Sequence, residues 1–283
     1  MSYCGLCSLK RCGIWGDPMG NKTREALIGI FIQAAIAIEE PLGRIIALDP
    51  DIEAVHQYRV KIRQLRSLIA FLRPKLNKEI ADQINKRLKT MASQFSSVRE
   101  WDVLAQRWQM MADDQNSEHQ EFTQRLTEVK QQTRIDAYAR FQPRMVREDL
   151  DWIITQLREL FEDDRQISAF IDKRLTRWLK GIRKGIKSLD VEDYPAMHDL
   201  RIRIKRLRYA LTLLGDFADE SMKDKIKPSK QWAEQLGIVC DAKRNKELLD
   251  EYIVRDIEPK ILFLKSLKSE ADEQVEQLKR VKL

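Results

Sequence analysis

Turn-forming residues are scarce in this chain: its 283 residues include only 10 glycines and 8 prolines. A many-stranded sheet reverses direction often, so this scarcity argues against one and favours long helices. Cysteine is also sparse. Three of the four cysteines, Cys4, Cys7 and Cys12, crowd the N-terminus, and Cys240 stands alone. That pattern excludes a disulfide framework and points to a reducing, cytoplasmic setting. Three thiols could begin a metal knuckle, but a closed zinc site takes four ligands and no fourth cysteine or histidine is near. Residues 1–20 are therefore read as a disordered or extraneous tail. The longest apolar run, Ile28 to Ile38 with Gln33 inside it, falls short of the about 20 residues that span a bilayer, so no membrane segment is expected. Also missing are a phosphate-binding glycine loop, carboxylates clustered at a magnesium-binding spacing, and a Ser–His–Asp arrangement. No catalytic residue, metal or cofactor is assigned.

The remaining composition suits a folded protein. Hydrophobic residues make up 43% of the chain, enough for a core, and the 34% that are charged mix both signs. The net charge of +7 suggests an anionic partner. Apolar residues recur at three and four, as in Ile62, Leu65, Ile69 and Leu72, and no stretch alternates as a strand does. The expected class is all-α. The pattern predicts helices over 22–48 (kinked near Pro41), 51–73, 76–112, 117–141, 144–161, 165–189, 194–215, 219–256 and 258–281. Breaks are expected at Pro50, Pro74, Pro143, Pro195, Pro228 and Pro259, some of which can also serve as first-turn residues.

The chain repeats itself. His56 to Arg66 reads HQYRVKIRQLR, and His198 to Arg208 reads HDLRIRIKRLR, an offset of 142 with five of eleven positions identical. A fainter echo follows each copy, FSSVREWD at 95–102 and LGIVCDAK at 236–243, and each is preceded by ALD at 47–49 or SLD at 188–190. Three echoes in one order imply two copies of a helical unit, about 21–160 and 165–283.

On a helix, His56, Arg59, Arg63 and Arg66 fall within an arc of roughly 80°, as do His198, Arg201, Lys205 and Arg208. The apolar stripes (Ile62, Leu65, Ile69; Ile204, Leu207, Leu211) are centred roughly 110° away. Each helix thus offers one edge to a core and a cationic edge beside it. Between Ala54 and Lys78 there are seven Lys or Arg and no acid; between Leu200 and Gly215 there are five and again none. With a net charge of +7, the rest of the chain carries −5. Like charges one turn apart repel, so a helix needing only solubility would interleave glutamate.

Two readings of this pattern stand. The basic edges can bind a polyanion, or they can pair with acids of neighbouring helices, for which Glu100, Asp102 and Asp241 are the candidates. An acid can also hold an arginine fork in place for a ligand. Lys61, Arg73, Arg203 and Arg206 point away from the shared edge and are read as solvated. His56 and His198, in the first turns of their helices, either meet bound phosphate or are structural. A second basic stripe, Lys173, Arg177, Lys180, Lys184 and Lys187, either extends the site or is an ordinary solvated face. Nucleic acid is disfavoured as partner because no aromatic residues are interleaved on the cationic edges for stacking, Tyr209 being the only neighbour of note. A helical scaffold and, less favoured, a phosphohydrolase complete the alternatives.

The paired H-x-x-R-V/I-x-I-R/K-x-L-R motif, each copy followed by a segment with an acidic signature, resembles the conserved histidine α-helical domain (CHAD) family over 21–283. The resemblance implies two four-helix bundles related by a pseudo-twofold axis, with the basic helices lining a central cavity or channel. It also implies non-catalytic binding of inorganic polyphosphate by His56, Arg59, Arg63, Arg66, His198, Arg201, Lys205 and Arg208, with Glu100, Asp102 and Asp241 as supporting acids. The chain departs from the family pattern at Phe95-Ser96, where Leu-Gly is expected, at Glu100, where Asp is usual, and at Cys240, which replaces the arginine aligned with Arg99.

Overall fold

The computed structural model describes residues 20–47, 52–158, 167–190, 193–218, 220–253, 255 and 257–278. The expected tail, with Cys4, Cys7 and Cys12, lies outside them save for Gly20, which opens the first helix; Pro50 and the boundary between the two sequence halves lie outside as well. Among the described residues the elements are helical: α1 (Gly20–Ile36), α2 (Glu39–Ile46), α3 (Ile52–Leu72), α4 (Lys78–Ser93), α5 (Ser96–Gln109), α6 (Ser117–Arg140), α7 (Pro143–Leu157), α8 (Ile167–Lys187), α9 (Tyr194–Leu214), α10 (Glu220–Lys223), α11 (Ile226–Tyr252) and α12 (Glu258–Leu278). Short side chains start several of them. Asn77 accepts from the Ile80 amide at 3.0 Å, Asn116 from those of Glu118 and His119, and Asp193 from that of Ala196 at 3.0 Å. Each satisfies backbone donors that a helix leaves unpaired in its first turn.

The prolines mark helix starts more than breaks. Pro41 sits in the first turn of α2, so the expected kink falls earlier, at Ala37–Ile38. Pro228 likewise lies in the first turn of the 27-residue α11 and does not interrupt it. A proline there forfeits no helical hydrogen bond. The predicted helix over 76–112, conversely, is two helices meeting at Gln94–Phe95. Phe95 leaves the helical backbone (φ −114°, ψ 23°) and is fully buried, its ring centroid 5.0 Å from Phe141, 5.4 Å from Tyr138 and 6.1 Å from Tyr58. The Ser93 hydroxyl donates to the Thr90 carbonyl at 2.7 Å, offering the backbone an alternative to continuing the helix.

α3 packs against α9. α3 also carries α1, α2 and α4, while α9 carries α8 and α11. The predicted apolar stripes of both helices are buried: Ile62, Leu65 and Ile69 on one, Ile204, Leu207 and Leu211 on the other. They belong to a large core shared by α1–α4, α7–α9 and the start of α11. A second core joins Trp101 and Trp108 of α5, Phe122 of α6, Leu249 of α11 and Phe263 of α12. The Trp108 indole donates to the Thr123 hydroxyl at 2.7 Å, and its ring lies 4.7 Å from Phe122 and 5.4 Å from Phe263. Truncating such a side chain costs about 3–5 kcal/mol. Neither core is confined to one half of the sequence.

The expectation about apolar runs needs correcting. Arg24–Ile46, with a mean hydropathy of 1.5, is long and apolar enough to cross a membrane by length and composition. Glu39 and Glu40 interrupt the apolar run without ending the apolar segment. Here that segment forms α1 and α2, and Leu27, Phe31, Ala35, Ile38, Leu42 and Ile45 are buried in the larger core.

Candidate functional site

Beside the α3–α9 contact opens a cavity of about 800 Å³, walled by α3, α4, α5, α9 and α11. Nine Lys or Arg side chains line it: Arg59, Arg63, Arg66, Arg73, Arg99, Arg201, Lys205, Arg206 and Arg244. His56 and His198 join them, and only three acids do: Asp82, Glu100 and Asp241.

Five of these cations are held by protein partners. Arg73 pairs with Asp82 at 2.6 Å, Arg201 with Asp241 at 3.2 Å and Arg244 with Glu100 at 3.0 Å. Arg59 donates to the Ala92 carbonyl at 2.5 Å and to the Ser96 hydroxyl at 2.7 Å, and Arg66 donates to the Asn85 side-chain oxygen at 3.0 Å. The other four, Arg63, Arg99, Lys205 and Arg206, have neither an ion pair nor a hydrogen bond among the described residues. The pairing reading therefore accounts for part of the cavity and leaves a cationic remainder.

Crowding shows in the acid–base properties. Burial first, then Arg201 and Arg63, pulls Lys205 from 10.5 down to about 7; Arg208 adds to the fall and Asp241 alone opposes it. Burial and then Arg63 lower Arg59 to about 10, which leaves it charged at neutral pH. Arg66 falls through burial, Arg206 and Arg63. His56 falls below its ordinary 6.5 through burial and then Arg99, with Arg63 and Arg59 adding and Glu53 opposing. Beyond burial, these shifts arise from cations that repel one another, a repulsion that a bound anion would lessen.

Seven of the eight predicted basic residues line the cavity; Arg208 does not. Its guanidinium instead stacks over the Tyr209 ring at 4.8 Å. Glu100 and Asp241 line it, but Asp102 does not. Two residues on from Glu100 is roughly 200° around a helix. Asp102 accordingly faces α6, buried beside Arg134 at 3.4 Å and Lys130 at 3.6 Å. Arg73 and Arg206, read as solvated, are part of the wall. Arg99, Arg244 and Asn85 are lining residues that the sequence pattern does not mark as ligands, although Arg99 lies inside the fainter echo at 95–102. Tyr209 is buried, and the aromatic residue of the lining is Tyr194, stacked on His198 with Lys243 4.2 Å above its ring. His119 is tied up elsewhere, its Nδ1 accepting from the Asp113 amide at 2.9 Å.

Set against known families, residues 36–250 match the CHAD domain. The chain belongs to this family. Two solved structures share its fold. The crystal structure of the CHAD domain from the plant Ricinus communis is 21% identical, with 90% of this chain and 86% of that one covered and a TM-score of 0.64. PptA from Streptomyces chartreusis is 11% identical, with 92% and 97% covered and a TM-score of 0.69. No curated protein sequence matches. As a CHAD domain, the chain departs from its pattern at Phe95-Ser96, and the structure gives that departure a consequence. Where the second echo has Gly237, the Arg201 guanidinium lies across the open backbone, 3.4 Å from where a Cβ would stand. Where the first has Ser96, the hydroxyl takes a hydrogen bond from Arg59, and the nearby helix break brings the Ala92 carbonyl to the same nitrogen.

Proposed function

We propose that this CHAD domain binds inorganic polyphosphate in the basic cavity and performs no chemistry on it. Its two sequence halves, 21–160 and 165–283, are on this reading copies of one unit whose motif helices, α3 and α9, each turn a cationic edge to the ligand. One observation carries the proposal. Arg63, Arg99, Lys205 and Arg206 face a common space without a protein partner, while three acids neutralise only part of the remaining wall. Arginine can grip phosphate oxygens in bidentate fashion and lysine supplies a point charge. At roughly 1.5–3 kcal/mol per charge-assisted contact, four free cations offer roughly 6–12 kcal/mol before ordering and dehydration costs. Partnered residues such as Arg201 and Arg244 hold their forks in position, with the acids behind them.

The make-up of the lining favours a flexible phosphate chain over nucleic acid. Tyr194 is the lining's aromatic ring, and it is already engaged by His198 and Lys243, which leaves little for base stacking. The reading of a cytoplasmic protein rests on cysteine usage alone. The test is titration of defined-length polyphosphate in competition with single-stranded RNA, with phosphate release followed in the presence of Mg²⁺. Binding that RNA displaces poorly, with no phosphate released, is the expected result. Equal displacement by RNA would overturn the substrate class, and steady phosphate release would make the domain an enzyme.

A further inference from the structure

α8 carries a second concentration of charge that the cavity does not use. Lys173, Arg177, Lys180, Lys184 and Lys187 are all exposed. At helical spacing they fall within an arc of roughly 80° and form a row about 21 Å long. From Lys173 to Leu189 the sequence holds no acid, and none of the five side chains has an ion pair among the described residues. Several exposed cations on other helices do have an acid one turn away. Arg125 pairs with Glu121 on α6, Arg144 with Glu148 on α7, Arg203 with Asp199 on α9, and Lys230 with Glu234 on α11, each one turn apart. Successive members of the α8 row stand three or four residues apart, where like charges repel. What sets the α8 row apart is five exposed cations in one arc with no acid interleaved.

The helix that carries the row touches the cavity wall through a neighbouring side chain. Arg174 donates to the carbonyl of Ala70 at 3.4 Å, and Ala70 lines the cavity wall. Lys75, just past the end of α3, lies 5.8 Å from the Phe170 ring of α8. Further along, a groove of about 440 Å³ flanks the row, where the Thr176 and Ser221 hydroxyls accompany Lys180 and Lys225, with Asp224 the one acid. Hydroxyl donors beside ammonium groups suit phosphate oxygens.

We propose that the exposed face of α8 is an outer track for long polyphosphate, engaged by the part of a chain that extends beyond the cavity; this rests on the cavity binding proposed above. A row of point charges with no aromatic ring among its members suits a linear phosphate chain better than stacked bases. A chain bridging both sites gains from the second contact by being already tethered at the first.

Calorimetric titration with chains of about ten and about a hundred phosphates distinguishes the two sites. The five-fold variant K173Q/R177Q/K180Q/K184Q/K187Q is expected to bind the short chain within about twofold of wild type and the long chain about tenfold more weakly, with a shallower salt dependence for the long chain alone. Changing the four lysines to arginine should restore long-chain binding. Unchanged long-chain binding, or an equal loss for both lengths, would overturn the outer track while leaving the cavity reading in place. Wild-type protein that fails to bind the short chain would overturn both. Single-stranded RNA and phosphatidylserine vesicles run in parallel, and a loss confined to either would assign the face to that partner instead.

Discussion

Helices α3 and α9 carry the same motif and face the same cavity, yet they hold their charges in different ways. Arg59 on α3 is clasped by the Ala92 carbonyl and the Ser96 hydroxyl, and Arg66 by Asn85. Their counterparts on α9 are looser. Arg201 lies over Gly237 and pairs with the half-exposed Asp241, while Arg208 leaves the cavity for Tyr209. His56 is partly buried among arginines, whereas His198 is exposed and stacks on Tyr194. Lys205, the one lysine in the lining, is on α9 and has no partner. α3 thus commits Arg59 and Arg66 to the wall and leaves Arg63 free, while α9 leaves both Lys205 and Arg206 free, including a group that titrates near neutrality. A repeated motif guarantees a repeated face but not a repeated job.

The comparison can be broken by mutation. Arg59→Ala should lower stability by about 2 kcal/mol in urea denaturation, because two hydrogen bonds from a charged donor vanish and the Ala92 carbonyl loses a partner. Arg201→Ala should cost under about 1 kcal/mol, since Asp241 can turn to water. Equal losses would remove the distinction between the clasped Arg59 and the looser Arg201.

A second effect, about tenfold in affinity, concerns pH. Lys205 has a pKa of about 7 in the free protein, and bound phosphate would raise it. Binding then takes up a proton above pH 7, so affinity for polyphosphate should fall as pH rises from about 7 to 9. His56, held below 6.5, adds a further gain on the acid side. In Lys205→Met the loss between pH 7 and 9 should disappear; its persistence would place the titration elsewhere.

The same lysine gives a smaller prediction for the free protein. Between pH 7 and 10.5 the unfolded chain holds the Lys205 proton and the folded one does not, so wild-type stability should rise with pH across that window. Lys205→Met should therefore melt a few degrees higher than wild type at pH 7, by a margin that narrows towards pH 10. A lower melting temperature at pH 7 would show that the ammonium stabilises the fold. Smallest of all is Gly237→Ala. Its added methyl would stand 3.4 Å from the Arg201 guanidinium, and a shift of a few tenths of an ångström should weaken binding about twofold.

Much of this was legible in the sequence. A period of 3.6 gave the helices, the unbroken run of cations gave the basic edges, and the repeat gave their pairing. The errors have a common origin, because a helical wheel assigns a face without saying what stands opposite or where along the axis a cavity ends. Asp102 was on a plausible helix but faces α6, and Arg208 lies past the reach of the cavity. Arg206 was dismissed for pointing off the edge, although a cavity spanning two adjacent helices admits a wider arc. The break at Gln94–Phe95 depends on three aromatic rings from distant segments as well as on Ser93, so the local signal alone does not announce it. The length of the apolar segment at Arg24–Ile46 was underestimated because two glutamates were read as an end.

The account stands most directly on the unpartnered cations of the cavity. Polyphosphate binding by wild type and by Arg63→Gln/Lys205→Gln, measured across a salt series, isolates them, because neither side chain has a protein partner to lose. The expected result is an affinity at least tenfold lower, with the salt slope reduced by about 1.5 to 2, since each lost phosphate contact releases about one counterion fewer. A variant that binds as tightly as wild type, with the same slope, would contradict the claim that the phosphate chain lies in this cavity.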